Sequence, residues 1–230
     1  NEPLVVPAGV SATIDLNNHN IVNNTKTLEY GKGEGIVVYG DLVINGEGLV
    51  KGSTRAVWAR GTEGATVTIN GGTYEGCETG YAEGGNSVIY ASSGNVVNIY
   101  GGTFKALAAD KTSYANKTEG VYAALNVADN NGMINVYGGS FYKQNPAAPG
   151  TEPAAWNAIH TNGFLAEGCR VETNGEWFNV IYDPYYGYTP VKDAAELKEA
   201  IKTANNNIVF LNDIEGDVTV IQKAGCKIII

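Results

Sequence analysis

Three copies of one short pattern constrain this chain more than any other feature. Val67-Thr68-Ile69-Asn70-Gly71-Gly72-Thr73-Tyr74 returns as Val97-Asn98-Ile99-Tyr100-Gly101-Gly102-Thr103-Phe104, and again as Ile134-Asn135-Val136-Tyr137-Gly138-Gly139-Ser140-Phe141. In each copy two apolar residues alternate with polar ones, a glycine pair follows, then a hydroxyl residue and an aromatic ring. Alternation at every second residue marks a strand with one buried face. The glycine pair marks a turn, because glycine reaches backbone angles that a Cβ makes costly. Gly71 to Gly101 is 30 residues and Gly101 to Gly138 is 37, a spacing typical of stacked repeat units.

A second unit precedes each glycine strand. Val57-Trp58-Ala59, Ile89-Tyr90-Ala91 and Val121-Tyr122-Ala123 recur 32 residues apart, and Ala155-Trp156-Asn157 reads as a less regular fourth copy. Each repeat therefore holds at least two strands and a corner. Leu42-Val43-Ile44-Asn45-Gly46 is a worn copy of the main pattern, with Ile44 in the place of Ile69, Asn45 of Asn70 and Leu49 of Tyr74. Val171 to Gly175 reads as a fifth glycine strand. Like residues of successive repeats should stack: Ile69, Ile99 and Val136 as an aliphatic column, Tyr74, Phe104 and Phe141 as an aromatic one. One repeat cannot bury its own apolar face, so its neighbours must. Leu107 to Lys117 and Gln144 to Pro153 read as loops on the outside.

The composition agrees with many short strands joined by turns: of 230 residues 30 are glycine and one is methionine. A formal charge of -9 with three arginines, Arg55, Arg60 and Arg170, argues against a nucleic-acid partner and against an anionic membrane surface. No apolar run approaches the length of a membrane span, so membrane insertion is not expected. Cys77, Cys169 and Cys226 are isolated and lack metal-ligand spacing, and they read as buried free thiols.

From Asp183 the character changes. Residues 1–182 read as the repeat body, 183–190 as a linker, and 191–230 as a capping helix followed by the start of a second repeat body. The helix runs from Ala194 to Ala204, with Asp193 as its N-cap, Glu196 in a capping box, and an apolar stripe of Leu197, Ala200, Ile201 and Ala204. Residues 219–230 align with residues 3–14 at a constant offset of 216. The chain is therefore expected to be a piece of a longer tandem protein, in which a helix-and-strand cap precedes each repeat body. An open strand edge recruits other chains, so a cap, a tandem neighbour or self-association must cover it.

Together these features resemble the pectate-lyase-like superfamily of right-handed parallel β-helices, as found in surface proteins of gut bacteria and virion proteins of their phages. The resemblance implies an all-β, right-handed parallel β-helix solenoid with one short capping helix near the C-terminal end. It marks a fold and not a chemistry. Enzymes of that superfamily use clustered aspartates on one strand face. Here the repeat strands carry Thr68, Asn98 and Asn135 at the outward position, and the eight aspartates are scattered. A polysaccharide lyase or glycoside hydrolase would need carboxylates such as Asp110, Asp129 and Glu119 to converge from loops. His19 and His160 lack a nucleophile or metal partner at a recognisable spacing. No catalytic residue, metal site or cofactor is therefore expected.

One constellation rises above the background. If Val57 and Ala59 point inward, Trp58, Tyr90 and Tyr122 form an outward ladder, and Arg60 shares their side. Tyr100 and Tyr137 form a second outward pair, flanked by the amides of Asn98 and Asn135. Flat rings beside amides suit sugar stacking or a protein interface. The expected role is a non-enzymatic structural or presentation module of a larger virion or cell-surface protein, extracellular, contacting partner subunits or a glycan along its side.

Overall fold

The structure is a computed structural model. It describes residues 2–25, 29, 31–78, 86–107, 122–128, 131–148, 163–185, 187–202, 207–215 and 228–229, with the backbone alone at 86, 122, 228 and 229. Its contacts divide the chain into two units, Asn1–Tyr182 and Asp183–Ile230.

In the first unit strands come in threes. The first round is β1 (Leu4–Val6), β2 (Ser11–Asp15) and β3 (Ile21–Asn23), and the second is β4 (Ile36–Val38), β5 (Asp41–Asn45) and β6 (Leu49–Gly52). The third is β7 (Val57–Ala59), β8 (Thr66–Ile69) and β9 (Thr73–Gly76). The fourth is β10 (Asn86–Ala91), β11 (Val96–Ile99) and β12 (Thr103–Ala106), and the fifth is β13 (Tyr122–Val127), β14 (Met133–Val136) and β15 (Gly139–Tyr142). Every third strand pairs in parallel. The first sheet runs β1-β4-β7-β10-β13, the second β2-β5-β8-β11-β14, and the third β3-β6-β9-β12-β15. Parallel neighbours need a long crossover, and here the two intervening strands supply it. These stacked parallel sheets fit a β-helix-like fold.

Register follows the inward side chains. Ile14, Ile44, Ile69, Ile99 and Val136 form one column of the second sheet. In the third sheet Val50, Tyr74, Phe104 and Phe141 align, and the three rings stack at 4.9 Å between each pair of centroids. Each stacked pair adds roughly 0.5–1.5 kcal/mol beyond its buried area. The Tyr74 hydroxyl donates to the Gly71 carbonyl at 2.9 Å, and burial raises its pKa. Val50 is therefore the counterpart of Tyr74. Leu49, expected there, pairs with Thr73 on the outward side.

The glycine pairs turn the chain between the second and third sheets. Gly72, Gly102 and Gly139, the second of each pair, have φ of +92°, +110° and +114°. A Cβ on Gly102 would also stand 2.9 Å from the carbonyl oxygen of Gly72 in the round beneath. These corners are short and even, at 46–48, 70–72 and 100–102. Uneven lengths collect where the third sheet returns to the first, at 24–35, 53–56, 77–85 and 107–121.

Val171 to Gly175 is not a fifth parallel round. β16 (Cys169–Asn174) and β17 (Trp177–Tyr182) form an antiparallel hairpin, and β17 pairs antiparallel with β15. Its two-residue loop begins at Gly175, whose φ of +59° suits a tight hairpin. The Asn-Gly that read as a corner is thus a reversal. Gln144, expected to open an outside loop, is buried, and its amide pairs with both backbone groups of Leu125. Most of the two expected loops, and the Ala155–Asn157 copy, lie outside the described residues.

The second unit contains β18 (Thr189–Val191), the helix α1 (Ala194–Ala200), β19 (Ile208–Phe210) and β20 (Ile228–Ile229), with a parallel sheet in the order β18-β19-β20. Asp193 caps the helix by accepting from the N–H groups of Ala195 and Glu196, and the Glu196 carboxylate accepts from Lys192 N–H. The helix ends at Ala200 with Ile201 as C-cap, short of the expected Ala204. Thr189–Val191, read partly as linker, is a strand because Pro190 and its neighbours extend beside Ile208–Phe210. Val191, Leu197, Ala200 and Ile208 make its core.

Candidate functional site

The outward face of the second sheet carries three columns. They are Ser11, Asp41, Thr66, Val96 and Met133; Thr13, Val43, Thr68, Asn98 and Asn135; and Asp15, Asn45, Asn70, Tyr100 and Tyr137, the last column continuing one residue past the paired strands. At the β2 end Asp15 and Asp41 make it acidic. At the β14 end it is aromatic and apolar: Tyr100 is 52% exposed, and Met133, two columns away on the same face, is exposed as well.

The structure brings Tyr100, Tyr137, Asn98 and Asn135 together as the sequence suggests. The Tyr100 and Tyr137 rings are 4.5 Å apart and within 7° of parallel. That spacing matches the separation of neighbouring strands, roughly 4.8 Å, so the rings lie one over the other along the stacking direction. Each spends one face on the other. Beside them the Asn135 amide donates to the Asn98 side-chain oxygen at 2.9 Å, and one end over Asn70 donates likewise to Asn45 at 2.7 Å. Asp41 ties the acidic end, accepting from the Ser11 hydroxyl at 3.3 Å and from Thr66 N–H at 3.1 Å.

The expected ladder on the first sheet differs. Trp58 and Tyr90 do align, in register with Val37. Val57 and Ala59 belong to the core and Trp58 does not, so the ring faces outward. It is nevertheless only 4% exposed, so it offers no open platform. Arg60 lies 4.2 Å from the centre of the Trp58 ring, and Arg55 lies 4.7 Å from the centres of both Trp58 and Tyr90. The Trp58 indole N–H donates to the Ser92 hydroxyl at 2.9 Å. Tyr122 is not the third rung. Leu125 and Val127 align with Ile89 and Ala91, which puts Asn126 opposite Tyr90 and Tyr122 opposite Asn86. The larger aliphatic residues four positions on take the inward places, and they shift the register.

The sequence reading also missed what holds Arg55. Its guanidinium donates to the Glu34 carboxylate at 3.0 Å, with both side chains buried at the corner between the third and first sheets. Cys77 lies in the same region. Burial pushes its thiol up to about 12, against a smaller lowering by Arg55, and the S–H faces the Ala123 carbonyl at 3.9 Å. Because the pair joins two rounds only once, no repeating signal could have shown it. His19 is exposed. His160, Asp110, Glu119 and Asp129 lie outside the described residues. Among the described residues no three His, Cys, Asp or Glu side chains are grouped as metal ligands, and no helix is long and apolar enough to cross a membrane.

No family model, curated protein or solved structure matches this chain.

Proposed function

We propose that the first unit is a right-handed parallel β-helix solenoid of the pectate-lyase-like kind. In this reading it serves without catalysis as a presentation module of a larger extracellular protein, in a virion or on a bacterial surface. It would hold a partner protein subunit against the outward face of its second sheet.

The observation that carries this reading is the Tyr100–Tyr137 stack on the outward face of the second sheet, with Tyr100 exposed. Sugar recognition by stacking needs a free ring face, and each ring of this pair already spends one face on the other. Ring edges carry the positive end of the aromatic quadrupole and suit carbonyl and carboxylate oxygens of a protein. Exposed tyrosine and methionine, with few charges at that end, are the composition of an interface centre. The hydrogen-bonded scaffold beneath is already ordered, so binding loses little conformational entropy.

The test places a photo-cross-linking residue at Thr68, on this face, and at Thr103, on the third sheet, within the native assembly. One protein adduct from position 68 and none from 103 is expected, and Tyr100→Ala should abolish it. A glycan array run on wild type and Tyr100→Ala covers the other partner class. Tyr100-dependent glycan retention without any adduct would replace the protein partner by a sugar.

A further inference from the structure

Among the described residues several inward columns that are buried through the first unit lose part of their cover at one end, although Val6 and Leu16 of the same round stay buried. Leu4 pairs with Ile36, Ala12 with Leu42, Ile14 with Ile44 and Ile21 with Val50. Ile36, Leu42, Ile44 and Val50 are all buried, yet Leu4 is 43% exposed and Ala12, Ile14 and Ile21 are half-buried. Val5, Val10 and Val22 are exposed around them. Among the described residues this end is therefore an apolar floor bordered by the edges of β1, β2 and β3, each the last strand of its sheet.

Those edges have a definite polarity. Asp41 N–H donates to Val10 carbonyl, and Leu16 N–H donates to Asn45 carbonyl, so the even-numbered residues of this stretch face β5. In an extended strand the N–H and C=O of one residue point the same way. Ser11, Thr13 and Asp15 therefore direct their backbone groups to the open side.

The chain contains one example of what lies on that side of such a strand. Residues 219–230 align with residues 3–14 at an offset of 216, sharing an Ala-Gly pair and a final isoleucine, and this alignment matches Ile228 and Ile229 of β20 to Ala12 and Thr13 of β2. β20 is not an open edge there: β19 lies beside it in parallel, Ile208 opposite Ile228 and Val209 opposite Ile229. In β19 the backbone groups of Asn207 and Leu211 bond to β18, which turns those of Ile208 and Phe210 toward β20. The side that β19 occupies on β20 is the side left free on β2.

We propose that the open end of the first unit is a docking surface for a second copy of the β18–α1–β19 segment, residues 183–218. Its β19 continues the second sheet past β2. Thr13 N–H then donates to the Ile208 carbonyl, and Phe210 N–H donates to the Thr13 carbonyl. Its apolar side closes over Leu4, Ala12, Ile14 and Ile21. The contact is heterologous, one surface on each partner, and propagates in a line. It uses the end of the unit, so it stands or falls separately from the side face proposed above.

The experiment joins a second copy of residues 183–218 directly ahead of residue 3, the junction that the 216-residue offset dictates. Amide hydrogen exchange is then read residue by residue. Thr13 N–H should slow by roughly 100-fold relative to the parent chain, since an open edge amide exchanges without unfolding and a paired one does not. The amides of Leu42 and Ile44 should be unchanged. Thr13→Pro in the extended chain should remove the added protection of Ser11 and Asp15. It costs no existing ladder bond, because the lost N–H faces outward. A second version with a flexible Gly-Ser linker guards against a strained junction. Unchanged Thr13 exchange in both versions would overturn the proposal.

Discussion

The two ends of the first unit are built from the same columns and finished in opposite ways. At the β14 and β15 end, Val136 and Phe141 are as buried as their partners one round below. Phe164 is packed into the core there, Leu165 bridges to Val136, and the β16–β17 hairpin closes the third sheet. At the β1 and β2 end, Ile14 and Ile21 hold the equivalent positions and are only half-buried. The edges differ as well. β16 presents Arg170, Glu172, Thr173 and Asn174, an ion-paired polar strand that discourages further pairing. β1 presents Leu4-Val5-Val6. A change of strand direction thus terminates the stack, and a strand left parallel and greasy invites continuation.

The comparison can be broken most forcefully at its centre. Phe104→Ala empties the middle of a three-ring stack that is fully buried, and should cost about 3–5 kcal/mol. For a unit of this size that lowers the melting temperature by about 10 °C, read by calorimetry. A loss below about 1 kcal/mol would mean that the column is not continuous.

A smaller effect sharpens the contrast itself. Ile44→Ala and Ile14→Ala delete the same atoms from one column, one round apart. The first should cost about 2–5 kcal/mol and the second less than half as much, because the half-buried Ile14 loses less transfer free energy and leaves no closed cavity. Denaturant midpoints of the two variants give the ratio. Equal losses would show that the open end is covered in solution.

A titration, silent at neutral pH, comes last. The Cys77 thiol, ordinarily near 9.0, is pushed up to about 12 by burial. Above pH 9 the unfolded chain releases this proton while the folded chain keeps it, so stability should fall between pH 9 and about 12 and be unaffected below. Cys77→Ser should reduce that slope, most clearly between pH 9 and 10, below the range in which the buried Tyr74 hydroxyl also contributes. Burial also raises the Cys169 thiol, which is only partly covered and sits in the hairpin at the closed end. In a Cys226→Ser background, Cys169 should be alkylated well before Cys77, because its thiol is already partly exposed while Cys77 must wait for the core to open. Simultaneous labelling would show that the Cys169 thiol is covered in solution.

Most of the interior was legible because it repeats. Ile69, Ile99 and Val136 announce their column, and the aromatic after each glycine pair announces the next. What escaped notice occurs once. The register of Tyr122 failed because the chain before β13 hides how many residues intervene, and Leu125 and Val127 outcompete Val121 and Ala123 for the inward places. Arg55 escaped because an ion pair with Glu34 spans two rounds at a corner that no other round copies. Trp58 was placed on the correct side of its strand, but its exposure depended on those arginines. The hairpin was misread because an Asn-Gly dipeptide serves a bend and a reversal equally well until its partner strand is known.

The uneven corner has a consequence for how such a chain can diversify. The largest differences in length fall at the seam where the third sheet hands over to the first, while the glycine bends between the second and third sheets hold to two or three residues. Foreign peptide spliced into that seam would add display without disturbing the alignment of any column, much as pages of different width can share one binding.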